Sequence, residues 1–496
     1  MFAGSVMFCQ AQKMTDPVFF ANTINSENLK KNLYKIAGPD FEGRETATAG
    51  QHKAASYLSE YFKGLGLQPG NHGDYQLTYP VYIDSSLSAS IRINNDTFRL
   101  YRDFDLRISS AHDISFGLND VVFAGYGISD SLRDDYKGLQ TAGKVVLVLN
   151  GYPPGYINTQ IEKNRFNSFG KQDAAMQHGA VALLIIQDGF VSKTLPEKSD
   201  MYLNYDQSVI RPNSLFISEK MARLIMGPDY EMAKTGYFPS KTYAVSIRIS
   251  IQKDTKFLYG SDVLAYLEGS DLKDQLLVIS AHYDHLGKQG PAIYYGADDD
   301  GSGTVSLLEL ATAFSKAKNA GQGPRRSILF LANSGEEKGL WGSEFYTSHP
   351  VYPLNKTTAD LNMDMVGRKD PGRTYGDADN YVYVVGDDKI SSDLKSISVG
   401  MNKKFTKLEL DYKFNNPKDP LKIFYRSDHY NFARHGVPII FYFDGINEDY
   451  HHTSDTPDKI DYDLLVKRVK LVFYTAWEMP NRNDMLKRNL PLREKE

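Results

Sequence analysis

Histidine and carboxylate side chains follow several of the apolar segments in this sequence. The segment "LLVIS" is followed by His282, Asp284 and His285, and "SILFLANSG" is followed by Glu336 and Glu337. Two adjacent carboxylates repel each other, so this position directly after an apolar segment suggests a shared partner of opposite charge. Metal binding is the chemistry that these residue types favour.

Further segments carry the same residue types. Asp298–Asp300 begin a predicted helix, Asp364 lies inside "LNMDMVG", and "IIFYFDGINED" leads to Tyr450, His451 and His452. Histidine and oxygen ligands without cysteine suit zinc or another first-row divalent ion. Five candidate ligands exceed the needs of one open tetrahedral zinc, whereas two ions that share a carboxylate would use them all.

Each of these residues also fits a structural role when it is considered alone. A histidine or aspartate at a strand end can be a cap, "DDDGSG" can begin a helix through its dipole, and Glu336 and Glu337 can be surface charges. Asp364 is harder to explain in this way because a buried carboxylate needs a partner. Independent structural explanations for every strand end are improbable, so a shared site is favoured.

The elements that must position these residues alternate between strand and helix from about residue 260 onward. "DQLLVISAH", "RRSILFLANSG" and "GVPIIFYFDG" have the pattern of apolar strands, whereas "DGSGTVSLLELATAFSKA" has the apolar stripe of a helix. This alternation predicts an α/β fold with a mostly parallel twisted sheet and helices on both faces. Ligands bind such a sheet beyond the carboxyl ends of its strands, where the polar residues fall.

The sequence changes in character between residues 118 and 250, where short β-rich segments are bounded by glycine and asparagine. This segment predicts a small β-rich domain that is inserted into a discontinuous first domain. The first domain is then formed by residues 21–117 and 251–485, and residues 486–496 form a charged tail.

Residues 1–20 and the composition bear on the location of the protein. "MFAGSVMFCQAQKM" is typical of a signal-peptide remnant, with a frayed hydrophobic N-terminus as the alternative. Export to the periplasm or the exterior is therefore predicted, and a lipid anchor on Cys9 is a less favoured variant. The net charge of −4 argues against a nucleic-acid partner, and no later segment is long and apolar enough to span a membrane.

Five segments resemble motifs of the co-catalytic di-zinc metallopeptidases, a family that includes bacterial secreted aminopeptidases and glutamate carboxypeptidase. In the family's order, they are "SAHYDH", "GADDDGSG", "SGEEKGLWGS", "LNMDMVG" and "DYHHTSDTPDKI". The segment inserted at 118–250 resembles a protease-associated domain. The resemblance implies the zinc-dependent exopeptidase type of fold and two Zn2+ ions as cofactors.

The resemblance implies a metal-ligand role for five side chains. They are His282 and Asp364 on one zinc, Glu337 and His451 on the other, and Asp299 as the bridging ligand. The family pattern Gly-x-x-Asp, which begins at Gly296, selects Asp299 over Asp298 and Asp300. The pattern Tyr-His-x-x-x-Asp selects His451, although the sequence alone could exchange it with His452.

Three further residues take catalytic roles by the same resemblance. Glu336 would act as the general base toward a water that bridges the metals and would then pass the proton to the leaving amine. Asp284 would orient His282. Tyr450 would donate a hydrogen bond to the oxyanion, with a packing role as its alternative.

These residues predict a metallo-aminopeptidase that removes N-terminal residues from peptide substrates. A glutamate-type carboxypeptidase or dipeptidase is the alternative, but it would need clustered arginines, and only the scattered Arg368, Arg373 and Arg426 are found. Arg426, Asp428 and His429 could contact the substrate, although helix capping by Ser427 or Asp428 is favoured there. The complete ligand set disfavours a one-zinc glutaminyl cyclase and a non-catalytic binding relative. The oligomeric state is not predicted.

Overall fold

The structure, a computed structural model, describes residues 16–106, 111–156, 168–192, 201–203, 211–235, 238–416 and 418–492. The chain divides into a first unit, Met1–Pro80 with Tyr259–Glu496, and an inserted unit, Val81–Leu258. The inserted unit is therefore wider at both ends than the segment 118–250 that the sequence predicts. Most of the predicted leader and the last residues of the charged tail lie outside the described residues.

The helices and strands are numbered along the chain. The first unit begins with α1 (Val18–Ala21), α2 (Ser26–Ile36), α3 (Ala49–Gly64), β1 (Gln68–Pro69) and β2 (Gln76–Ile93), which continues into the inserted unit. The inserted unit contains β3 (Asp96–Arg99), β4 (Phe104–Leu106), β5 (Ile114–Leu118), β6 (Val121–Phe123), β7 (Val145–Leu149), α4 (Ser168–Gln177), β8 (Ala182–Gln187), β9 (Asn213–Ser218), α5 (Glu219–Met226), α6 (Asp229–Ala233) and β10 (Lys241–Tyr243).

The chain returns to the first unit along a long strand and completes it. The elements are β11 (Ile247–Leu267), β12 (Leu272–His282), β13 (Lys288–Gln289), β14 (Ala292–Ile293), α7 (Gly303–Asn319), β15 (Arg326–Asn333), α8 (Trp341–Ser348), β16 (Thr357–Met363), β17 (Tyr381–Val385), α9 (Leu394–Met401), β18 (Glu409–Asp411), α10 (His429–Arg434), β19 (Ile439–Phe443) and α11 (Tyr462–Asn481).

The first unit is built on a mixed sheet in the order β18-β17-β19-β16-β12-β15-β11. The central strands β15, β12, β16 and β19 are parallel to one another. Strands β11 and β17 pair antiparallel with β15 and β19. The predicted α/β architecture with a mostly parallel sheet is confirmed.

Helices cover both faces of this sheet, which explains why its strands are apolar without alternation. In β12, Leu277 and Ile279 belong to a core formed with α2, α3, α7 and α11. Their neighbours Leu276 and Val278 belong to a second core, which includes Tyr346 of α8 and residues of α10. Successive strand residues point to opposite faces, so each central strand contributes to both cores.

The parallel strands bring their carboxyl ends to one edge of the sheet. His282 at the end of β12 is the register partner of Asn333 at the end of β15. Met363 at the end of β16 pairs with Tyr442 near the end of β19. The polar residues that follow these strands therefore share one rim of the first unit.

The inserted unit has its own sheet, in the order β10-β6-β7-β8-β9-β4. Strands β6 to β9 are parallel, and the edge strands β10 and β4 are antiparallel to their neighbours. Its likeness to a protease-associated domain stays a prediction. In the part of the chain that the structure describes, no helix has the length and apolar composition needed to cross a bilayer.

Candidate metal centre

One group of possible ligand atoms forms around the end of β12. The Nε2 atom of His282 lies 3.3 Å from Oδ1 of Asp299 and 3.4 Å from Oδ1 of Asp364. All three side chains are buried. Imidazole and carboxylate atoms that converge at this distance can share one cation.

A second group shares Asp299 with the first. The Nε2 atom of His451 lies 3.1 Å from Oδ2 of Asp299 and 3.0 Å from Oε2 of Glu337. Asp299 thus turns one oxygen toward His282 and Asp364 and the other toward His451 and Glu337. A carboxylate in this position can bridge two ions. The five predicted ligands are all brought together at this rim.

His285 also belongs to this rim, although no role was predicted for it from the sequence. Its Nδ1 atom lies 2.7 Å from Oε1 of Glu337 and 4.0 Å from Oδ2 of Asp299. Gly296 permits this position, since a Cβ atom there would lie 2.4 Å from Cγ of the His285 ring. The only signal in the sequence was the spacing of His285 in "SAHYDH", three residues after His282.

The converging atoms fit a metal because several of them make no hydrogen bond of ordinary geometry with the protein. Among the described residues, these buried atoms make no hydrogen bond: Nε2 of His282 and His451, both ring nitrogens of His285, Oδ2 of Asp299 and Oε1 of Glu337. Buried polar atoms are normally satisfied, so this concentration of atoms without hydrogen bonds is well suited to a cation.

The two neighbours of Asp299 hold the loop instead of facing the rim. Asp298 accepts hydrogen bonds from the Gly367 amide and the Asn447 side chain, at 2.9 and 3.0 Å. Asp300 accepts bonds from the amides of Gly303 at 2.8 Å and His282 at 3.2 Å. The run of three aspartates therefore contains one candidate ligand and two structural acceptors.

The loop around Asp299 is also anchored by Asp455, which the Tyr-His-x-x-x-Asp pattern contains. Its carboxylate accepts hydrogen bonds from the backbone amides of Asp298 and Asp299 at 3.0 to 3.1 Å. Because these bonds fix the backbone, the Asp299 side chain is directed by a rigid loop.

Asp284 lies behind His282, as expected, but its closest contacts are with other groups. Its carboxylate is 3.6 Å from Nδ1 of His282, whereas the backbone carbonyl oxygen of Asp284 is 3.2 Å from the same Nδ1 atom. The carboxylate accepts hydrogen bonds from Thr46 Oγ1 at 2.8 Å and from the Glu336 amide at 3.2 Å. Asp284 thus links the histidine to the segment that carries Glu336.

Glu336 is close to the candidate ligand atoms without belonging to either group. Its Oε2 atom lies 3.9 Å from Nε2 of His282. Burial raises the pKa of Glu336 well above its usual range, and the carboxylates of Asp364 and Glu337 add to this, while His282 opposes it. A carboxylate that lies beside the candidate ligands and belongs to neither group is placed to exchange a proton with a molecule bound there.

The charges at the rim attract positive partners. Burial opposes ionisation of Asp299, but its contacts with His282 and His451 outweigh burial and lower its pKa. Burial also opposes protonation of His451, but the carboxylates of Asp299 and Glu337 raise its pKa to about 10. The same carboxylates that favour a proton on the imidazole would favour a metal ion in its place.

Tyr450 and the two histidines after it point in different directions. The Tyr450 ring stacks on His451 with ring centroids 3.8 Å apart, and its hydroxyl accepts a hydrogen bond from Arg426 at 3.0 Å. His452 is exposed, and its Nδ1 atom contacts the Tyr450 carbonyl. Of the two histidines that the sequence could exchange, His451 is the one at the rim.

A cleft with about 350 Å³ of open space lies beside the candidate metal ligands. Its charged and polar lining consists of Asp299, Glu336, Asp364, Arg426 and Tyr450. Its apolar lining consists of Met365, Ile423, Phe441, Phe443 and Ile446. A lining that combines a few polar groups with apolar side chains suits a peptide end with an apolar side chain.

Two other residues that the sequence raised have structural contacts. The Asp428 carboxylate accepts a hydrogen bond from Ser343 Oγ at 2.5 Å, and burial raises its pKa to about 7. His429 is buried, stacks on Phe441 and contacts the Phe424 carbonyl at 2.9 Å. Neither lines the cleft.

Comparisons with known proteins agree with this geometry. Residues 262–476 match the model of peptidase family M28. The chain is 32% identical over 217 residues to a "Probable leucine aminopeptidase" from Arthroderma otae, which covers 42% of this chain and 56% of that protein. It is 25% identical over 293 residues to a "Probable zinc metalloprotease" from Pyricularia oryzae. That alignment covers 51% of this chain and 55% of the relative. The chain thus spans about half the length of these curated relatives.

A solved structure supports the fold over nearly the whole chain. The aminopeptidase from Aneurinibacillus sp. strain AM-1 aligns with 97% of this chain and 98% of its own, with a TM-score of 0.53 and 18% identity. At this identity the likeness shows a shared fold only. The match of residues 262–476 to the model of peptidase family M28 agrees with the convergence of the motif residues at one rim.

Proposed function

We propose that the protein is a zinc-dependent aminopeptidase that hydrolyses the N-terminal bond of peptides. The observation that carries this proposal is the group of unpartnered ligand atoms around Asp299, with the unligated Glu336 beside it. The match to peptidase family M28 supports a peptidase, and the names of the fungal relatives support zinc and an aminopeptidase activity.

Two zinc ions would use the candidate ligands fully. His282 and Asp364 would hold one ion, Glu337 and His451 would hold the other, and Asp299 would bridge them. In two-metal sites the ions lie about 3.5 to 4 Å apart, polarise the substrate carbonyl and lower the pKa of water. His285, at 2.7 Å from Glu337, would fix that carboxylate beside the second ion.

Glu336 would move the proton during hydrolysis. It would accept a proton from the water that attacks the scissile carbonyl and then give it to the leaving amine. Asp284 would support this step from behind, because it accepts a hydrogen bond from the Glu336 amide and contacts His282. Glu336 would therefore transfer the proton, Asp284 would hold its neighbours in position, and neither would need to bind a metal.

Tyr450 would donate a hydrogen bond to the oxygen of the scissile carbonyl. Arg426 donates to the oxygen of the Tyr450 hydroxyl, so the hydroxyl proton is free to point elsewhere. The stacking of Tyr450 on His451 holds the ring next to the candidate ligands. A donor held in this way stabilises the negative charge that develops on the substrate oxygen.

The cleft supports an apolar N-terminal residue as the preferred substrate. Phe441, Phe443 and Ile423 are buried side chains that line it. The acidic groups at the rim offer a partner for the free α-amine. A glutamate-type carboxypeptidase is less well supported, because Arg368 pairs with Glu448 and Asp449, and Arg373 pairs with Glu409.

A substrate panel tests the proposed function. Leucine, phenylalanine and glutamate p-nitroanilides would be assayed beside an N-acetylated leucine analogue, with and without a chelator, and with zinc returned. We expect hydrolysis of the free apolar substrates, its loss with the chelator and its recovery with zinc. Equal cleavage of the N-blocked substrate, or activity that survives complete metal removal, would contradict the proposal. Export of the protein stays a prediction from its first residues.

A further inference from the structure

Arg426 is a cation on the wall of an otherwise acidic cleft. It follows the short helical turn Ile423–Tyr425 and precedes α10, and it lines the cleft together with Glu336 and Asp364. Among the described lining residues, it is the one with a positive side chain. The acidic groups have proposed roles as metal ligands or in proton transfer, whereas the guanidinium is used there only for its hydrogen bond to the Tyr450 hydroxyl.

The guanidinium of Arg426 lacks a carboxylate partner. No carboxylate of the described residues lies within 4.0 Å of it, whereas Arg368 and Arg373 each have acidic partners. Its hydrogen bond to the Tyr450 hydroxyl, at 3.0 Å, uses one of five N–H donors. An exposed arginine with unused donors at a binding cleft is well suited to a planar anionic ligand.

We propose that Arg426 binds a carboxylate of the substrate on the leaving-group side of the scissile bond. The inference rests on the proposed function, and it narrows the substrates to short peptides with a carboxylate one residue beyond the cleaved bond. That carboxylate is either the C-terminus of a dipeptide or the side chain of an acidic second residue. Guanidinium and carboxylate form two parallel hydrogen bonds, a geometry that lysine cannot reproduce.

A purely structural role for Arg426 would have a different signature. Through its bond to Tyr450, Arg426 also orients the hydroxyl proposed to contact the scissile carbonyl. Loss of that effect would reduce turnover of every substrate by the same factor. Carboxylate binding would instead change the ratio between substrates that differ only in one charge.

The test compares kcat/KM for matched substrate pairs. One pair is Leu-Gly and Leu-Gly-amide, and the other is Leu-Asp-amide and Leu-Asn-amide. The proteins are the wild type, Arg426→Gln, Arg426→Lys and the control Lys422→Gln, which removes an exposed charge from the same segment outside the cleft. Bound zinc would be measured in all four, so that folding and metal loading are known to be intact.

We expect the wild type to favour the carboxylate member of at least one pair by about tenfold or more, which is the usual effect of a charged hydrogen bond. Arg426→Gln should bring this ratio close to one, Arg426→Lys should give an intermediate value, and Lys422→Gln should leave it unchanged. Selectivity in the first pair alone identifies dipeptides, and selectivity in the second identifies an acidic second residue.

Two results would overturn the inference while leaving the proposed function intact. One is a wild type that hydrolyses both members of each pair equally well. The other is an Arg426→Gln variant that loses activity on both members by the same factor, since this is the signature of Tyr450 orientation alone. Absence of zinc-dependent hydrolysis of Leu-Gly-amide and of Leu-Gly would overturn the proposed function, and this inference with it.

Discussion

Buried charges have different environments in the inserted unit and at the rim of the first unit. In the inserted unit, Asp135 accepts hydrogen bonds from the amides of Tyr126 and Ile128 and from Arg133. Lys171 donates to the carbonyls of Tyr126 and Gly151, and burial lowers its pKa to about 8. These groups satisfy one another, so they stabilise the unit without a ligand.

At the rim of the first unit, buried ionisable side chains do not satisfy one another in this way. Around Asp299, buried nitrogen and oxygen atoms converge from strand ends far apart in the chain, and several of them make no hydrogen bond of ordinary geometry. Burial of such atoms without partners is costly. The contrast shows that burial of a charged side chain does not by itself mark a functional site. A functional site is indicated when buried ionisable side chains converge without satisfying one another's hydrogen bonds.

Removal of the shared carboxylate should have the largest effect. Asp299→Asn replaces the residue that contacts both His282 and His451, so both metals should be weakened. We expect a fall in kcat/KM of about a thousandfold or more, together with loss of bound zinc measured by elemental analysis. Asp458→Asn, at an exposed aspartate, is the matched control. An Asp299→Asn variant with a full metal content would show that the rim does not need this ligand.

Substitution of Glu336 should separate metal binding from proton transfer. Glu336→Gln keeps the size and polarity of the side chain but removes its ability to accept a proton. We expect unchanged zinc content and a fall in kcat of about a hundredfold to ten-thousandfold, the usual contribution of a general base. Near-normal turnover with zinc retained would refute the assignment of the base.

A substitution in the inserted unit should lower stability without changing the metal centre. Lys171→Met leaves the carbonyls of Tyr126 and Gly151 without their buried donor. We expect a loss of about 1 to 3 kcal/mol in the stability of this unit, measured by hydrogen exchange in β7 and β8, and no change in zinc content. Loss of zinc in this variant would mean that the two regions are not energetically independent.

Glu309 tests whether a buried carboxylate without partners always signals a metal. It lies in α7, neither of its oxygens accepts a hydrogen bond of ordinary geometry, and it belongs to neither ligand group. Burial raises its pKa to about 7, against a smaller opposing effect of Asn28 and the backbone of Asn25. Glu309 can therefore be accommodated by protonation instead of by a cation.

The raised pKa of Glu309 predicts a pH-dependent stability. The folded state binds a proton at Glu309 more tightly than the unfolded state does, so proton binding at this residue stabilises the fold. This contribution to the free energy of unfolding is complete below about pH 4.5 and is lost as the pH rises through about 7. Urea unfolding should show Glu309→Gln to be about 1 to 3 kcal/mol more stable than the wild type at pH 8. The two should be similar at pH 5. A stability difference between the variant and the wild type that is equally large at pH 5 and pH 8 would contradict the protonation of Glu309.

The sequence predicted the central sheet well because its strands carry local signals. The apolar segments that became β12, β15 and β19 are continuous, and polar residues follow them directly, so the rim could be anticipated. The boundaries of the inserted unit could not be predicted as well. Strands β2 and β11 pass from one unit into the other without interruption, so both boundaries lie inside a strand and not in a loop.

The candidate site shows the same limit at the level of single residues. The aspartates at 298, 299 and 300 are identical in type, and their separate roles depend on amides from distant segments such as Gly367 and Met365. His285 was overlooked as a partner of Glu337 because their contact joins two loops more than fifty residues apart. Local patterns can place such residues at a rim, but long-range packing decides which of them face one another.

Zinc stoichiometry tests the proposed metal centre most directly. The purified protein would be stripped of metal, titrated with zinc by calorimetry, and compared with Asp299→Asn and with the control Asp458→Asn. A paired centre predicts two zinc ions per chain for the wild type and the control, and weakened binding of both ions for Asp299→Asn. Binding of one ion or none by the folded wild type, or two ions held with unchanged affinity by Asp299→Asn, would contradict it.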